Sequence, residues 1–204
     1  AKIRAQETIK QITEERMKLE EELVYPSHND PISLFWLLRT LDGVRPTGSI
    51  IVNDILSIHA DPCSVMSLET SSSYVSSNAC IDGYGLPAGL GVQLSLTAQE
   101  LPVIVLTSDE SIMQCSEALW SVAHYQLPIK IVIVSAGGAA LLIQPQTPAQ
   151  IGFPFNSPTI DFQKMGEAMG LKVFTATIME EMEEAITRLF EEEGPCVLNV
   201  KVSG

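Results

Sequence analysis

Residues 103–134 read VIVLTSDESIMQCSEALWSVAHYQLPIKIVIV, and this stretch decides the fold of the chain. Two apolar runs of strand length, 103–107 and 129–134, enclose a segment of helical length and period at 111–125. Strands that are apolar almost throughout are covered on both faces, and a strand–helix–strand unit forms a right-handed crossover between parallel strands. The stretch therefore predicts an α/β domain with a parallel sheet between helices.

The same alternation extends in both directions from this unit. Further strands are predicted at 49–53, 172–176 and 196–202, and further helices at 31–41, 86–96, 161–169 and 179–192. Asp30 is expected to cap the first of these helices, with Pro31 in its first turn. We expect a three-layer α/β/α sandwich with a mainly parallel sheet of about six strands across residues 25–204.

Two segments stand apart from this alternation. Residues 1–24 form a charged helical pattern with few large apolar side chains, which predicts a connector helix that buries little by itself. Residues 144–158 are rich in proline and glutamine and are predicted to form a long loop.

Composition limits the classes of partner and the location. The formal net charge of −13 argues against a nucleic-acid backbone as partner, and the acidic run within 180–193 is predicted to be the solvated face of a helix. No apolar run reaches the ~18 residues of a membrane span, and the N-terminus is too charged for a signal peptide, so a cytoplasmic location is expected. The four cysteines form no CxxC pair and are predicted to be buried or semi-buried thiols: Cys63, Cys80, Cys115 and Cys196.

Polar residues follow the two strands of the opening stretch. Ser108, Asp109, Glu110 and Ser111 come after the first strand, and residues 135–138 come after the second. Ligands of parallel sheets bind at the carboxyl ends of the strands, where helix N-termini offer N–H groups to anions. This edge is predicted to hold an anion or a metal-bound anion, although an aspartate or serine at a helix start is also a common cap.

Three segments resemble a known family. LPAGLGVQL at 86–94 is similar to the LPAAIGVQL-type helix of benzoylformate decarboxylases, and SEALWSVAHYQLP at 116–128 resembles the helix that follows the family's metal-binding turn. Asp30-Pro31-Ile32-Ser33 is similar to the start of the same domain. Residues 25–204 thus resemble the C-terminal thiamine diphosphate (ThDP)-binding domain of the benzoylformate decarboxylase, acetolactate synthase and pyruvate decarboxylase superfamily.

The resemblance implies cofactors and partners. It implies ThDP and Mg²⁺ as cofactors and 2-oxo acids as substrates. It implies a separate pyrimidine-binding domain or subunit that supplies the activating glutamate, and assembly into homo-oligomers. No residue of this chain is expected to be catalytic by itself. Trp120 and Leu119 are predicted to be core or subunit-interface residues.

The resemblance also assigns site positions through the family's GDG…NN motif. The metal positions fall on Asp109, on Ala136 (27 positions later) and on the carbonyl of Gly138. The cofactor positions fall on the following residues: Ser57, Asp82, Ser108, Glu110, Ser111, Ser135 and Gly137.

Several of these positions depart from the family pattern. Ser108 and Glu110 replace two glycines that let backbone approach phosphate, and Ala136 has no side-chain oxygen. Asp82 stands where the family has a large apolar residue beneath the cofactor. The site is therefore predicted to be degenerate, and two hypotheses stay open. The chain is either a ThDP-binding domain with weak or partner-dependent binding, or a non-catalytic relative that serves oligomerisation or regulation.

Other α/β classes lack their motifs. A Rossmann nucleotide binder would need GxGxxG directly after the first strand, and a serine hydrolase would need a GxSxG turn. A generic flavodoxin-like binding domain is the remaining alternative from the residues alone.

Overall fold

The computed structural model describes residues 25–55, 62–68, 73–77, 81–96, 102–136 and 158–203. The predicted connector helix at 1–24 and nearly all of the predicted loop at 144–158 lie outside these ranges. The strands are β1 (Ile50–Asp54), β2 (Tyr74–Ser76), β3 (Val103–Ser108), β4 (Ile129–Ser135), β5 (Lys172–Ala176) and β6 (Cys196–Lys201). The helices are α1 (Leu34–Val44), α2 (Pro62–Val65), α3 (Gly85–Ser95), α4 (Asp109–Met113), α5 (Glu117–His124), α6 (Phe162–Ala168) and α7 (Met179–Glu191).

The six strands form one parallel sheet in the order β2-β1-β3-β4-β6-β5. Strands β3 and β4 occupy its centre, where Val105 pairs with Val52 on one side and Ile131 on the other. Every residue of β3 is buried, as its apolar run at 103–106 predicts, and the burial extends to Thr107 and Ser108 at its end. The parallel sandwich expected from the sequence is confirmed.

Alternate residues of the central strands pack into two separate cores. Ile104 and Leu106 join the core beneath α1 and α7, whereas Val103 and Val105 join the core beneath α3 and α5. This division follows from the two-residue period of a strand, which turns successive side chains to opposite faces. Because the strands are parallel, they all end at one edge of the sheet. Helices cover both faces of that sheet.

Two predictions about the elements were wrong, and two elements were not predicted. Helix α1 begins at Leu34 and not at Pro31, because Ser33 is the N-cap and its hydroxyl accepts a hydrogen bond from the Trp36 N–H at 3.3 Å. Pro31 instead forms an isolated bridge with Ile178. The single helix predicted at 111–125 is two helices, α4 and α5, and the sequence analysis missed strand β2 and helix α2.

The cysteines follow the prediction in part. Cys115 and Cys196 are buried, whereas Cys63 is exposed, and Cys80 lies outside the described residues. No helix within the described ranges has the length and apolar character needed to cross a membrane.

One lysine is buried inside the sheet. Lys130 of β4 is only 3% exposed, and its ammonium donates hydrogen bonds to the carbonyl of Glu192 and, at 2.9 Å, to the carbonyl of Gly194. The Cys196 sulfur lies 3.6 Å from the same Nζ atom. The ammonium thereby meets carbonyl oxygens just beyond the end of α7, where the helix dipole favours a positive charge.

Candidate functional site

The carboxyl end of β1 carries a buried carboxylate. Asp54 is 3% exposed, and its Oδ2 accepts hydrogen bonds from the Gly83 N–H at 3.1 Å and the Gly85 N–H at 3.0 Å. These are the amides at which α3 begins, so the carboxylate lies against the positive end of that helix. A Cβ atom at Gly85 would lie 2.4 Å from Asp54 Cβ, so only glycine allows this approach.

The turn after β3 satisfies its own amides. Ser108 is the N-cap of α4, and its hydroxyl accepts a hydrogen bond from the Ser111 N–H at 3.0 Å. Asp109 Oδ1 accepts a hydrogen bond from the Glu110 N–H at 3.1 Å. The cap role that the sequence left open for Asp109 therefore belongs to Ser108. Asp109 is itself 7% exposed, in the first turn of α4.

The Ser111 hydroxyl links the ends of two strands. Its oxygen lies 3.2 Å from the Asp54 carbonyl oxygen and 3.3 Å from Asp82 Oδ1, so it can donate to either acceptor. Asp82 is exposed at the rim of this cluster. The hydroxyl is thus directed at oxygen acceptors of the chain itself.

Strand β4 ends opposite Asp109. The Ser135 hydroxyl lies 3.5 Å from Asp109 Oδ2, a long contact that brings the two predicted ligand positions to the same edge. Ala136 follows and packs against the apolar core beneath α1 and α7. The structure therefore brings β3 and β4 together here as the sequence predicted, but Ala136 offers no side-chain ligand.

Burial and the like charge of Asp82 both raise the pKa of Asp54. The pKa of its carboxyl is raised to about 6, chiefly by desolvation and to a lesser extent by the neighbouring Asp82 carboxylate, while the hydrogen bonds from Gly85 and Gly83 oppose the increase. The same buried charge contributes, after burial itself, to the raised pKa of the Cys115 thiol. That thiol is therefore a poor nucleophile at neutral pH.

The sequence analysis missed Asp54, although a signal existed. A charged residue directly after a buried strand stands at the ligand edge of a parallel sheet. Its amide partners are far along the chain, so the pairing itself could not be seen. Ser57, Gly137 and Gly138 were predicted as site residues and lie outside the described residues.

A metal-bound diphosphate does not fit the described residues. The amides that would receive an anion at the ends of β1 and β3 already donate to Asp54, Asp109 and Ser108. Within the described ranges, no three His, Cys, Asp or Glu side chains are placed to hold a metal ion. The carboxyl groups carried at this edge also disfavour an anion when they are ionised: Asp54, Asp82, Asp109 and Glu110.

Sequence comparisons relate the chain to one group of enzymes. A family model described as "Thiamine pyrophosphate enzyme, C-terminal TPP binding domain" matches residues 62–200. A putative acetolactate synthase large subunit of Mycobacterium tuberculosis is 33% identical over 130 residues, which are 59% of this chain and 25% of that protein. Benzoylformate decarboxylase of Pseudomonas aeruginosa is 26% identical over 167 residues, 78% of this chain and 30% of that enzyme.

Solved structures share the fold. The Rhodococcus jostii thiamine diphosphate-dependent 4-hydroxybenzoylformate decarboxylase superposes with a TM-score of 0.76 at 25% identity, covering 89% of this chain and 34% of its own. Benzoylformate decarboxylase of Polynucleobacter necessarius has a TM-score of 0.79 at 20% identity, over 88% of this chain and 35% of its own, which shows the fold alone. The chain spans about a third or less of the length of these proteins.

Proposed function

Because the chain belongs to the thiamine pyrophosphate enzyme family through its C-terminal TPP-binding domain, we propose that it is a non-catalytic form of that domain. In this proposal the framework is kept, the cofactor edge is closed, and the domain serves assembly or regulation. The observation that carries the proposal is the internal use of the binding edge, where Asp54 and Asp109 accept from the amides that an anion would need.

Charge supports the same conclusion. Two like charges about 4 Å apart repel by ~4 kcal/mol at the effective dielectric of a protein surface. A diphosphate at this edge would meet the carboxylates of Asp109 and Glu110 in the first turn of α4. A cation could screen that repulsion, but Ala136 removes one of the two side-chain ligands that the family pattern would provide.

Asp54 and Ser108 have structural roles at this edge. Asp54 holds the start of α3 against the end of β1, and Ser108 caps α4. An N-cap of this type stabilises a helix by about 1 kcal/mol. The edge therefore stabilises the fold with the groups that would otherwise hold a ligand.

A second function rests on the position of Asp109. It stays buried at the end of β3, with Ser135 across from it at the end of β4. That placement favours a ThDP- and Mg²⁺-binding domain of a 2-oxo acid decarboxylase or acetolactate synthase-like enzyme. Such a domain would bind weakly and would act only with a pyrimidine-binding domain or subunit.

Calorimetric titration of the full chain with ThDP, with and without Mg²⁺, separates the two functions. We expect no heat of binding at millimolar cofactor from a folded sample. Magnesium-dependent binding at micromolar affinity would overturn the non-catalytic assignment and support the second function.

A gain-of-binding variant tests the stated cause. Ser108→Gly, Glu110→Gly and Ala136→Asn combined should restore measurable magnesium-dependent binding, because the variant removes a charge, frees the Ser111 amide and adds an amide oxygen. Glu193→Gly, an exposed change in the turn after α7, is the matched control and should not bind.

A further inference from the structure

The sheet face that α6 covers changes from apolar to polar near the carboxyl ends of the strands. One row across β4, β6 and β5 is apolar, because Ile131, Val197 and Val173 are register partners in or against the core beneath α3 and α5. Two residues further along β6 and β5, Asn199 pairs with Thr175. Residues two apart on a strand share a face, so polar side chains continue the row of apolar ones toward the edge of the sheet.

A cavity of about 780 Å³ lies over this polar part of the sheet, and we call it the α6 cavity. Ser135, Thr175, Asn199 and Lys201 line it on the sheet side, and residues 159–164, which lead into α6, line it on the other. Small-molecule sites have volumes of ~300–1,000 Å³. Parallel sheets bind ligands in crevices outside the carboxyl ends of their strands, which is where this cavity lies.

One buried acceptor in the cavity wall has no partner. The Oδ1 atom of Asn199 is buried, yet it accepts no hydrogen bond from any residue that the structure describes. A buried polar atom without a partner costs free energy, and proteins nearly always supply one. A molecule in the cavity can supply it, so this oxygen indicates a ligand with a hydrogen-bond donor.

The charged side chains of the wall leave one cation without an ion pair. They are Asp161, Lys164 and Lys201, which sum to a net charge of +1 on a chain of net charge −13. The Lys164 ammonium lies 2.8 Å from Asp161 Oδ2, so these two charges offset each other. Lys201, at the exposed end of β6, forms no salt bridge within the described ranges. One unpaired ammonium matches a ligand with a single negative charge.

The uncharged part of the wall is rich in hydroxyl groups. A hydroxyl can donate and accept at once, and the Asn199 carboxamide offers both functions as well. Ligand hydroxyls need partners of this kind in several directions. Four side chains carry such a group: Ser135, Thr159, Thr175 and Thr177.

We propose that the α6 cavity binds a small polyhydroxylated monocarboxylate, that is, a sugar acid. Its carboxylate pairs with Lys201, and one of its hydroxyls donates to Asn199 Oδ1. Its other hydroxyls bond to the serine and threonine hydroxyls of the wall, while its C–H groups face Ile160 and Phe162. This site goes beyond the proposed function, because it uses none of the amides that would receive a diphosphate.

Titration of the full chain with gluconate tests the proposal, with amide proton–nitrogen correlation spectra as the readout. Saturable shifts are expected at the amides of Thr175, Thr177 and Asn199, with a Kd on the order of 1 mM. Sorbitol has the hydroxyls without the carboxylate, and hexanoate has the carboxylate without the hydroxyls. Each should bind about tenfold more weakly than gluconate.

Two substitutions separate the contributions of charge and hydrogen bonding. Lys201→Gln should weaken gluconate binding about tenfold and leave sorbitol binding unchanged, since it removes only the charge. Asn199→Val should weaken both ligands roughly fivefold without lowering the melting temperature, because it removes an unpaired oxygen from a strand. Lys172→Gln, at the amino end of β5, changes the net charge equally and should bind gluconate like the wild type.

The following results would overturn the sugar-acid site: no shifts at about 50 mM gluconate, or equal affinity for gluconate and either control ligand. Wild-type affinity in both Lys201→Gln and Asn199→Val would overturn it as well. None of these results bears on the ThDP titration, because Asp54 and Asp109 do not line the α6 cavity.

Discussion

The helices on the two opposite faces of the sheet differ in the polarity of their outer sides. In α7, Met182, Ile186 and Leu189 are buried, while the other side of the helix is predominantly acidic. In α3, the buried side and the exposed side are both uncharged. A helix with one polar side needs only the sheet as a neighbour, whereas α3 leaves apolar surface in water. Of these two helices, only α7 therefore turns a charged side to solvent.

A matched pair of leucines tests that difference most strongly. Leu189→Ala in α7 should lower the free energy of unfolding by about 3 kcal/mol, because the side chain is fully buried. Leu94→Ala in α3 should cost less than about 0.5 kcal/mol in dilute solution. Urea denaturation at low micromolar concentration measures both. Equal losses would show that the monomer already covers α3.

The start of α3 should depend on pH through Asp54. The folded state raises the pKa of this carboxyl from 3.8 to about 6, so the stabilisation that it provides is present below pH 4 and is lost as pH rises through about 6. Asp54→Asn keeps an acceptor for Gly83 and Gly85 but does not ionise. Relative to wild type, the variant should gain about 2–3 kcal/mol between pH 4 and pH 7.5.

The control for this pH series is Asp161→Asn. The hydrogen bond to Lys164 lowers the pKa of Asp161, so its stabilisation is present above pH 4 and is lost in acid. This variant should therefore lose stability at neutral pH relative to wild type. Urea melts at several pH values measure both series, and parallel curves for wild type and Asp54→Asn would contradict the assignment.

Two glycines distinguish the inner and outer sides of α3. A Cβ atom at Gly89 would lie 2.4 Å from Val105 Cγ2, so Gly89→Ala should cost about 2 kcal/mol through overpacking. At Gly91 no atom lies within 4 Å of the added carbon, and Gly91→Ala should stabilise the chain by about 0.5–1 kcal/mol through helix propensity. Thermal melts report both signs. A destabilising Gly91→Ala in dilute solution would place a neighbour against that side.

The smallest expected change in the free energy of unfolding concerns a buried polar side chain of α3. Gln93 is 2% exposed, and neither polar atom of its amide has a hydrogen-bond partner among the residues that the structure describes. Gln93→Met keeps the volume and removes the unpaired groups, so it should raise the free energy of unfolding by about 1 kcal/mol. Denaturant melts measure it. A loss of stability would mean that the amide has a bound water or a partner.

The sequence predicted the elements whose signal is continuous and local. The apolar runs that became β3 and β4 could be recognised because a continuous apolar run of this length is typical of a strand buried on both faces. Strand β2 was missed because it is only three residues long, none of them is fully buried, and it is defined by its pairing with β1. The break between α4 and α5 was missed because it contains neither proline nor glycine.

The position of the candidate site could be predicted from the sequence, but its internal hydrogen bonds could not. The spacing of Asp109 and Ser135 placed both at the ends of neighbouring strands, and the structure brings them together. Which amides remain available depends on contacts between distant segments, such as Asp54 with Gly85. A list of residue types contains no such information. The hydrogen bonds from the Gly83 and Gly85 amides to Asp54 are therefore known only from the structure.

Burial of Lys130 disfavours a shifted register of strand β4. The isoleucines and valines of β4 could pack in more than one alignment, but a slip by one residue would turn the lysine to the opposite face and away from the carbonyls of Glu192 and Gly194. An ammonium without partners in an apolar interior is costly, so such a sheet would be unstable. The single charged residue of β4 thus helps to fix the register of the strand, and the same burial should make this amine react with an acylating reagent more slowly than the exposed amine of Lys164.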